Sequence, residues 1–317
     1  FNRPNFIWRF TRGECDYQIG ALPFAYFAEE YEERGSVVYQ QVLNLRASEK
    51  ERLWTLLVEN MRPENREYRY NFLYDNCTAR DRIEEAVEGK IIYPEQDTVR
   101  TYREIIHQYT AQHPWAELGN DICLGAEADR PISVRDEMFA PFYLLRYANG
   151  AVIQGSDGST RPLVLSQSKV VEGRDVEIQK EFPWSPALSV WILFFCVAGL
   201  TVVEQWRHAC FWGIDIFLMS LVGGIGLVVT FLFFFSVHPT VGSNWQIWVF
   251  NPIPLVTMPW VVWCAVKRRK TYYHPLNASV LILFMFFSAL IPQDFCVVVV
   301  PLALALLLRS CSYWISY

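Results

Sequence analysis

Apolar positions gather toward the C-terminal end of this chain in runs that appear nowhere before Pro183. Five stretches can be marked, at residues 186–203, 209–235, 248–266, 277–292 and 295–308. A helix needs about 17–25 largely apolar residues to cross the hydrocarbon of a bilayer. The second stretch is long enough to cross with tilt. The last two lie near the lower limit and are joined by the tight turn Pro292-Gln293-Asp294. The expectation is a helical bundle of about five spans, with four as the rival count if the last pair forms a hairpin that does not cross fully.

Upstream the pattern is shorter in period. Residues 6–10 and 15–22 read as strands, and an acidic helix follows near residues 23–34, with Pro23 suited to its start. Residues 37–45 alternate as a strand does. Ser48-Glu49-Lys50-Glu51 has the form of a capping box and predicts a helix to about Met61, stopped by Pro63. Residues 68–74 are rich in aromatics and read as a strand. A helix is then predicted from Asp75 or Asn76 as cap to Gly89 as stop, with Ile83 and Val87 on one face. The reading is an α+β polar domain over residues 1–184 and a transmembrane helical domain over 185–317.

Composition changes the picture only when it is split. Averaged over 317 residues the chain is 52% hydrophobic and 19% charged, which hides two different polymers. The net charge of −5 is spread over the polar half without a basic stripe, so nucleic acid is not an expected partner. Among the short connections, Arg207, the run Lys267-Arg268-Arg269-Lys270 and Arg309 fall on one side, whereas residues 236–247 and 292–294 hold no Lys or Arg. Positive residues mark the cytoplasmic side. The polar domain is therefore expected outside the cytoplasm, on a multi-pass anchor, with the C-terminus cytoplasmic. The first six residues carry neither a basic nor an apolar export segment, so the chain is expected to begin partway through a longer protein.

Eight cysteines do not form a disulfide pattern. Five lie in or beside apolar stretches, and only Cys15, Cys77 and Cys123 belong to the polar domain, so at least one of these three stays free. No pair has zinc-ligand spacing with a histidine nearby; neither metal nor cofactor is expected. Cys77 is the candidate nucleophile, because the first turn of a helix after a strand offers unpaired N–H groups that favour a thiolate and an oxyanion. Arg80 and Arg82 add positive potential, and Arg80 is a candidate substrate-binding residue. An isolated cysteine is more often a buried structural thiol, and on the residues alone both readings stand. Asp75 and Asn76 flank the thiol, either as chemical partners or as caps. In the outer loop, His238, Asn244 and Trp245 are candidate substrate contacts at the membrane surface, or parts of a plain connector.

The segment Tyr70-Asn71-Phe72-Leu73-Tyr74-Asp75-Asn76-Cys77-Thr78-Ala79-Arg80 resembles the cysteine motif of the Lnb family of bacterial lipoprotein N-acyltransferases. The resemblance extends to residues 62–66, to His113-Pro114-Trp115 with residues 118–125, and to His238-Pro239, Asn244-Trp245 and Asn251-Pro252. It implies a permuted papain-like (NlpC/P60-type) domain on a membrane anchor. It also implies transfer of an acyl chain from a phospholipid, through a Cys77 thioester, to the α-amino group of a diacylglyceryl-cysteine lipoprotein. The alternatives are a papain-like thiol amidase or peptidase of the envelope, and a scaffold in which Cys77 is structural. One departure is large. The family's general base is a histidine upstream of the cysteine, yet the five histidines here are His107, His113, His208, His238 and His274. The expectation is that the base lies in a segment before Phe1, and that this polypeptide by itself is inactive or badly impaired.

Overall fold

The computed structural model describes residues 5–78, 82–174 and 182–316. The chain divides into two compact units: residues 1–100 with 131–179, and residues 101–130 with 180–317. The predicted boundary after residue 184 thus differs from the packing, in which a polar segment of thirty residues belongs with the apolar helices.

The first unit mixes short helices with small antiparallel sheets. It opens with α1 (Phe6–Thr11), where a strand is predicted. Phe6 and Phe10 stand one helical turn apart and their rings stack at 5.9 Å, a contact that a strand would forbid. Then come β1 (Asp16–Gln18), α2 (Phe24–Glu33), β2 (Val38–Leu43), α3 (Ala47–Asn60), β3 (Glu67–Arg69), α4 (Ile83–Ala86) and β4 (Lys90–Ile92). In the second unit, α5 (Tyr102–Thr110) and α6 (Pro114–Cys123) precede a 3-10 turn at Ala126–Asp129. The first unit resumes with α7 (Val134–Glu137), α8 (Pro141–Gly150), β5 (Val152–Gln154), β6 (Thr160–Pro162) and β7 (Val164–Val171). Among the described residues β1 pairs with β3, β2 with β7, and β4, β5 and β6 form a three-stranded sheet. Pairing of β2 with β7 joins the two halves of the unit across the segment that leaves it.

Helix α3 is held by one buried carboxylate. Glu49 is fully buried and accepts from the Arg46 N–H at 2.7 Å, the Glu88 N–H at 2.7 Å and the Arg161 guanidinium. The cap therefore lies at Arg46, two residues ahead of the predicted Ser48, whose hydroxyl instead bonds Glu88 at 2.7 Å. Burial alone would raise the Glu49 pKa; the two N–H groups and Arg161 outweigh it, so the folded value is lowered. A lowered folded pKa adds stability above the unfolded carboxyl's pKa, and that stability is lost as pH falls through the folded value. Glu49→Gln is expected to cost about 3 kcal/mol near neutral pH and to flatten the acid limb of the stability profile. The urea midpoint of this unit, followed by pulse proteolysis against pH, checks both.

The second unit is a helical bundle with a polar cap. Among the described residues four segments are long and apolar enough to cross a membrane: Pro186–Trp206, Trp212–Phe235, Trp245–Val266 and Tyr273–Leu290. They contain α9 (Pro186–Trp206), α10 (Trp212–Phe235), α11 (Ile253–Val266) and α12 (Tyr273–Phe287). The last helix, α13 (Val299–Ser316), is apolar but falls short of that length over its described part. It packs against α9, α10 and α12, with Val299, Leu302, Ala303, Ala305 and Leu306 buried.

At one end of the bundle, amide side chains tie the last residues of α6 and the residue after it to the connecting loops. Asn244 Nδ2 donates to the Ile122 carbonyl at 2.8 Å, Gln246 Nε2 to the Asp121 carbonyl at 2.8 Å, and Gln293 Nε2 to the Leu124 carbonyl at 3.3 Å. The Gly125 N–H reaches the Thr240 carbonyl at 2.8 Å. A Cβ on Gly125 would stand 2.5 Å from the Ser243 backbone, so only glycine permits this approach. Arg103, buried, closes the cap from beneath by pairing with Asp121 at 2.7 Å and Asp129 at 2.6 Å. His107 Nε2 also meets Asp121 Oδ1 at 2.8 Å.

Candidate active site

All eight cysteines are free, and among those of the first unit Cys15 is buried whereas Cys77 is exposed. The backbone around Cys77 is not the strand-to-helix junction predicted. Strand β3 ends at Arg69, and Asn71 and Asp75 then exchange backbone hydrogen bonds of 3.1 and 3.0 Å. Asn71 Oδ1 accepts from the N–H groups of Leu73 and Tyr74 at 3.1 and 3.0 Å. These side-chain bonds compete with the ladder and convert an aromatic-rich strand into a tight turn. Cys77 lies in the turn that follows, and α4 starts only at Ile83. The helix predicted from Asp75 to Gly89 is thus a capped turn at Cys77 and, further on, a single helical turn.

Asn76 builds that turn. It is buried, and its Nδ2 donates to the carbonyls of Phe72 and Phe139, each at 2.9 Å. Its Oδ1 accepts from the Thr78 N–H at 3.0 Å and lies 2.7 Å from Thr78 Oγ1. Thr78 Oγ1 also lies 2.8 Å from the Phe139 carbonyl. The residues on both sides of the thiol are thereby anchored to the junction of α7 and α8, and the thiol is left outside. The amide of Asn76 is fully spent, so it positions Cys77 and has no group left for substrate. Asp75 takes part through its backbone in the Asn71 bridge. Arg82 is engaged by Glu85 and by Asn60 Oδ1 at 3.3 Å. Arg80, predicted to bind substrate, lies outside the described residues.

The exposed thiol borders an open cleft of about 550 Å³. One wall is the end of α3, where Trp54, Leu57, Val58 and Met61 stand at i, i+3, i+4 and i+7; the other is the segment Gln18-Ile19-Gly20-Ala21, with Tyr68 between. Trp54 is 68% exposed, and Leu57 and Val58 nearly half, so an apolar helix stripe faces the cleft instead of a core. Tyr17 and Tyr70 stack at 4.2 Å. Burial above all holds both phenols above their ordinary pKa, with smaller contributions from Cys15 and then Cys77 at Tyr17, and from Tyr17 and then Cys77 at Tyr70, so each is a protonated hydroxyl at neutral pH. Neither these tyrosines nor the α3 stripe was among the sequence-derived site residues. The helical spacing of 54, 57, 58 and 61 was the available signal.

The outer-loop candidates fall in the other unit. Asn244 is 1% exposed. Its Nδ2 is spent on Ile122, and its Oδ1 meets Gln246 N at 3.1 Å and Gln293 Nε2 at 3.1 Å, so it links the end of α6 to the loops. Trp245 is partly exposed and its N–H donates to Gln293 Oε1 at 2.8 Å. His238 is half-buried, and its N–H lies 3.4 Å from Ser236 Oγ.

An accessible thiol fixed by a hydrogen-bonded turn beside an apolar cleft, in a chain with four membrane-length helices, defines a membrane-anchored protein with a candidate thiol site. Residues 1–108 match the Lnb N-terminal periplasmic domain and residues 177–317 match the Lnb transmembrane domain. The chain belongs to the Lnb family, with a periplasmic N-terminal domain and a C-terminal helical membrane region. Family membership implies a lipoprotein N-acyltransferase-type role. No curated protein and no solved structure matches the chain.

Proposed function

We propose that this protein is a cysteine-dependent lipoprotein N-acyltransferase of the inner membrane, with a papain-like periplasmic domain and α13 as a fifth span that leaves the C-terminus cytoplasmic. The observation that carries the reading is the exposed Cys77 thiol at the edge of an apolar cleft. In the first step the Cys77 sulfur attacks an ester carbonyl of a phospholipid. The C–O bond breaks, and the lysophospholipid leaves as an alcohol, carrying the proton. In the second, the α-amino group of a diacylglyceryl-cysteine lipoprotein attacks the thioester, the C–S bond breaks and the thiol is restored. Splitting one transfer into two steps of lower barrier is the advantage of a covalent intermediate. Burying a hydrocarbon chain against Trp54, Leu57 and Val58 contributes about 0.8 kcal/mol per methylene, so the cleft favours a long acyl group next to the sulfur.

The test supplies a phospholipid with one labelled acyl chain and a diacylated lipoprotein peptide, with free imidazole as proton acceptor. Label is expected on Cys77 as a hydroxylamine-sensitive thioester, and then on the peptide's amine. Label released only as free fatty acid, with none on the amine even at high peptide concentration, would make the protein a hydrolase. Leu57→Glu is expected to slow thioester formation from a long-chain donor about tenfold while leaving alkylation of Cys77 by iodoacetamide unchanged. Equal slowing of both reactions would remove the cleft from the reading.

A further inference from the structure

The opposite end of the helical bundle, where α9, α11 and α13 end and α10 and α12 begin, holds a second cavity, of about 280 Å³. Its wall combines Arg269, Lys270 and Thr271 from the connection before α12, His274 from the first turn of α12, and Tyr313 and Trp314 from α13. Arg269 sits over the Trp263 ring at 5.2 Å; it and Lys270 are exposed and pair with no carboxylate among the described residues. His274 is 95% buried, by its 5% exposure, and stacks flat on Tyr313 at 4.3 Å. Neither of its ring nitrogens has a hydrogen-bond partner. Leaving a buried imidazole with both nitrogens unpaired costs free energy that a ligand would recover.

The surrounding charge favours an anion. Helix α12 has fifteen residues with no acidic side chain in its first turn, and its N-terminus opens here with the positive end of its dipole. The carboxylates of Glu204 and Asp215, at this end of the bundle, are both engaged by Arg309. Tyr272 and Trp314 are 87% and 67% exposed, as aromatic rings are at headgroup depth. We infer that this cavity binds the phosphate of an anionic phospholipid headgroup, held by Arg269, Lys270 and the His274 imidazole, at the bilayer surface remote from the α6 cap. Basic pockets between membrane helices recognise headgroups in this way.

The full-length protein, in a Cys77→Ala background that silences thioester formation, would be titrated in detergent with phosphatidylglycerol and with phosphatidylcholine. Retained lipid is read by native mass spectrometry. Phosphatidylglycerol is expected to be retained at least tenfold more than phosphatidylcholine, and Arg269→Ala/Lys270→Ala and His274→Phe are each expected to remove that preference. In a parallel arm inorganic phosphate replaces the lipid. Thermal protection of the parent protein by phosphate but not of the variants, without lipid retention, would keep the anion site and assign it a soluble phosphate. Equal lipid retention by parent and by the exposed Arg269→Ala/Lys270→Ala variant, with no phosphate effect, would overturn the inference. That variant decides the matter if His274→Phe does not fold.

Discussion

Cys77→Ala is expected to carry no label from a phospholipid and to transfer none to a lipoprotein amine, a loss on the order of 10³-fold or more. The compact unit that holds Cys77 spans positions 1–100 and 131–179, and no histidine occurs at any of them. With no histidine at those positions to take the thiol's proton, the rate is best measured with free imidazole supplied as proton acceptor. Under those conditions the parent chain is expected to form the thioester faster as imidazole rises, and Cys77→Ala to show no response. Cys77→Ser is expected to be nearly as poor, because a hydroxyl is a far weaker nucleophile than a thiol without an adjacent base. Asn76→Ala separates positioning from chemistry. It frees the turn from the Phe72 and Phe139 carbonyls and from Thr78, so the acylation rate falls while iodoacetamide still reaches the sulfur. Full transfer by Cys77→Ala would return the residue to the structural role that isolated cysteines commonly have.

The parts of this protein that were legible in the sequence are those written in local patterns. Apolar length gave four spans among the described residues, the capping-box form of Ser48 to Glu51 and the stop at Pro63 placed α3, and alternation placed β2. What failed depends on bonds between distant residues. Around Cys77 the aromatic composition favours a strand, yet Asn71 and Asn76 redirect the backbone through their amides, and Asn76 spends its amide nitrogen on the carbonyls of Phe72 and Phe139, which no periodicity marks. The segment from Thr101 to Arg130 is rich in charge and reads as part of a soluble domain. Its attachment to the bundle rests on Asn244, Gln246 and Gln293, three amides scattered through apolar surroundings. The sequence blocks at residues 118–125 and 238–245 were recognisable as motifs, and their physical meaning is that one docks on the other through Gly125 and Asn244. Arg309 was counted as a loop charge on the cytoplasmic side. It is 2% exposed, so the orientation argument rests on Arg207 and the run from Lys267 to Lys270.

Arg309 is where the second large effect is expected. It enters the bundle from α13 and meets Asp215 of α10 through two parallel bonds of 2.8 Å, Glu204 of α9, and Thr201 Oγ1 at 3.1 Å. Tyr313 Oη joins the same Asp215 oxygen at 3.1 Å, and Glu204 also accepts the Phe211 N–H at 2.8 Å. One guanidinium thus ties three helices, and every polar atom it faces in this apolar setting is engaged. Arg309→Met keeps the side-chain length but leaves two carboxylates buried without a cation, at a cost of about 3–5 kcal/mol. The thermal midpoint of the detergent-solubilised protein, followed by size-exclusion profile, is expected to fall by on the order of 10 °C. Adding Asp215→Asn and Glu204→Gln in the same chain removes the stranded charges and is expected to restore much of that loss. If Arg309→Met alone keeps the parent midpoint, the three-helix tie contributes nothing to stability; if the triple variant is worse than the single, uncompensated charge was not the cause. The expected order, parent above triple variant above single variant, follows from buried ions costing more unpaired than absent.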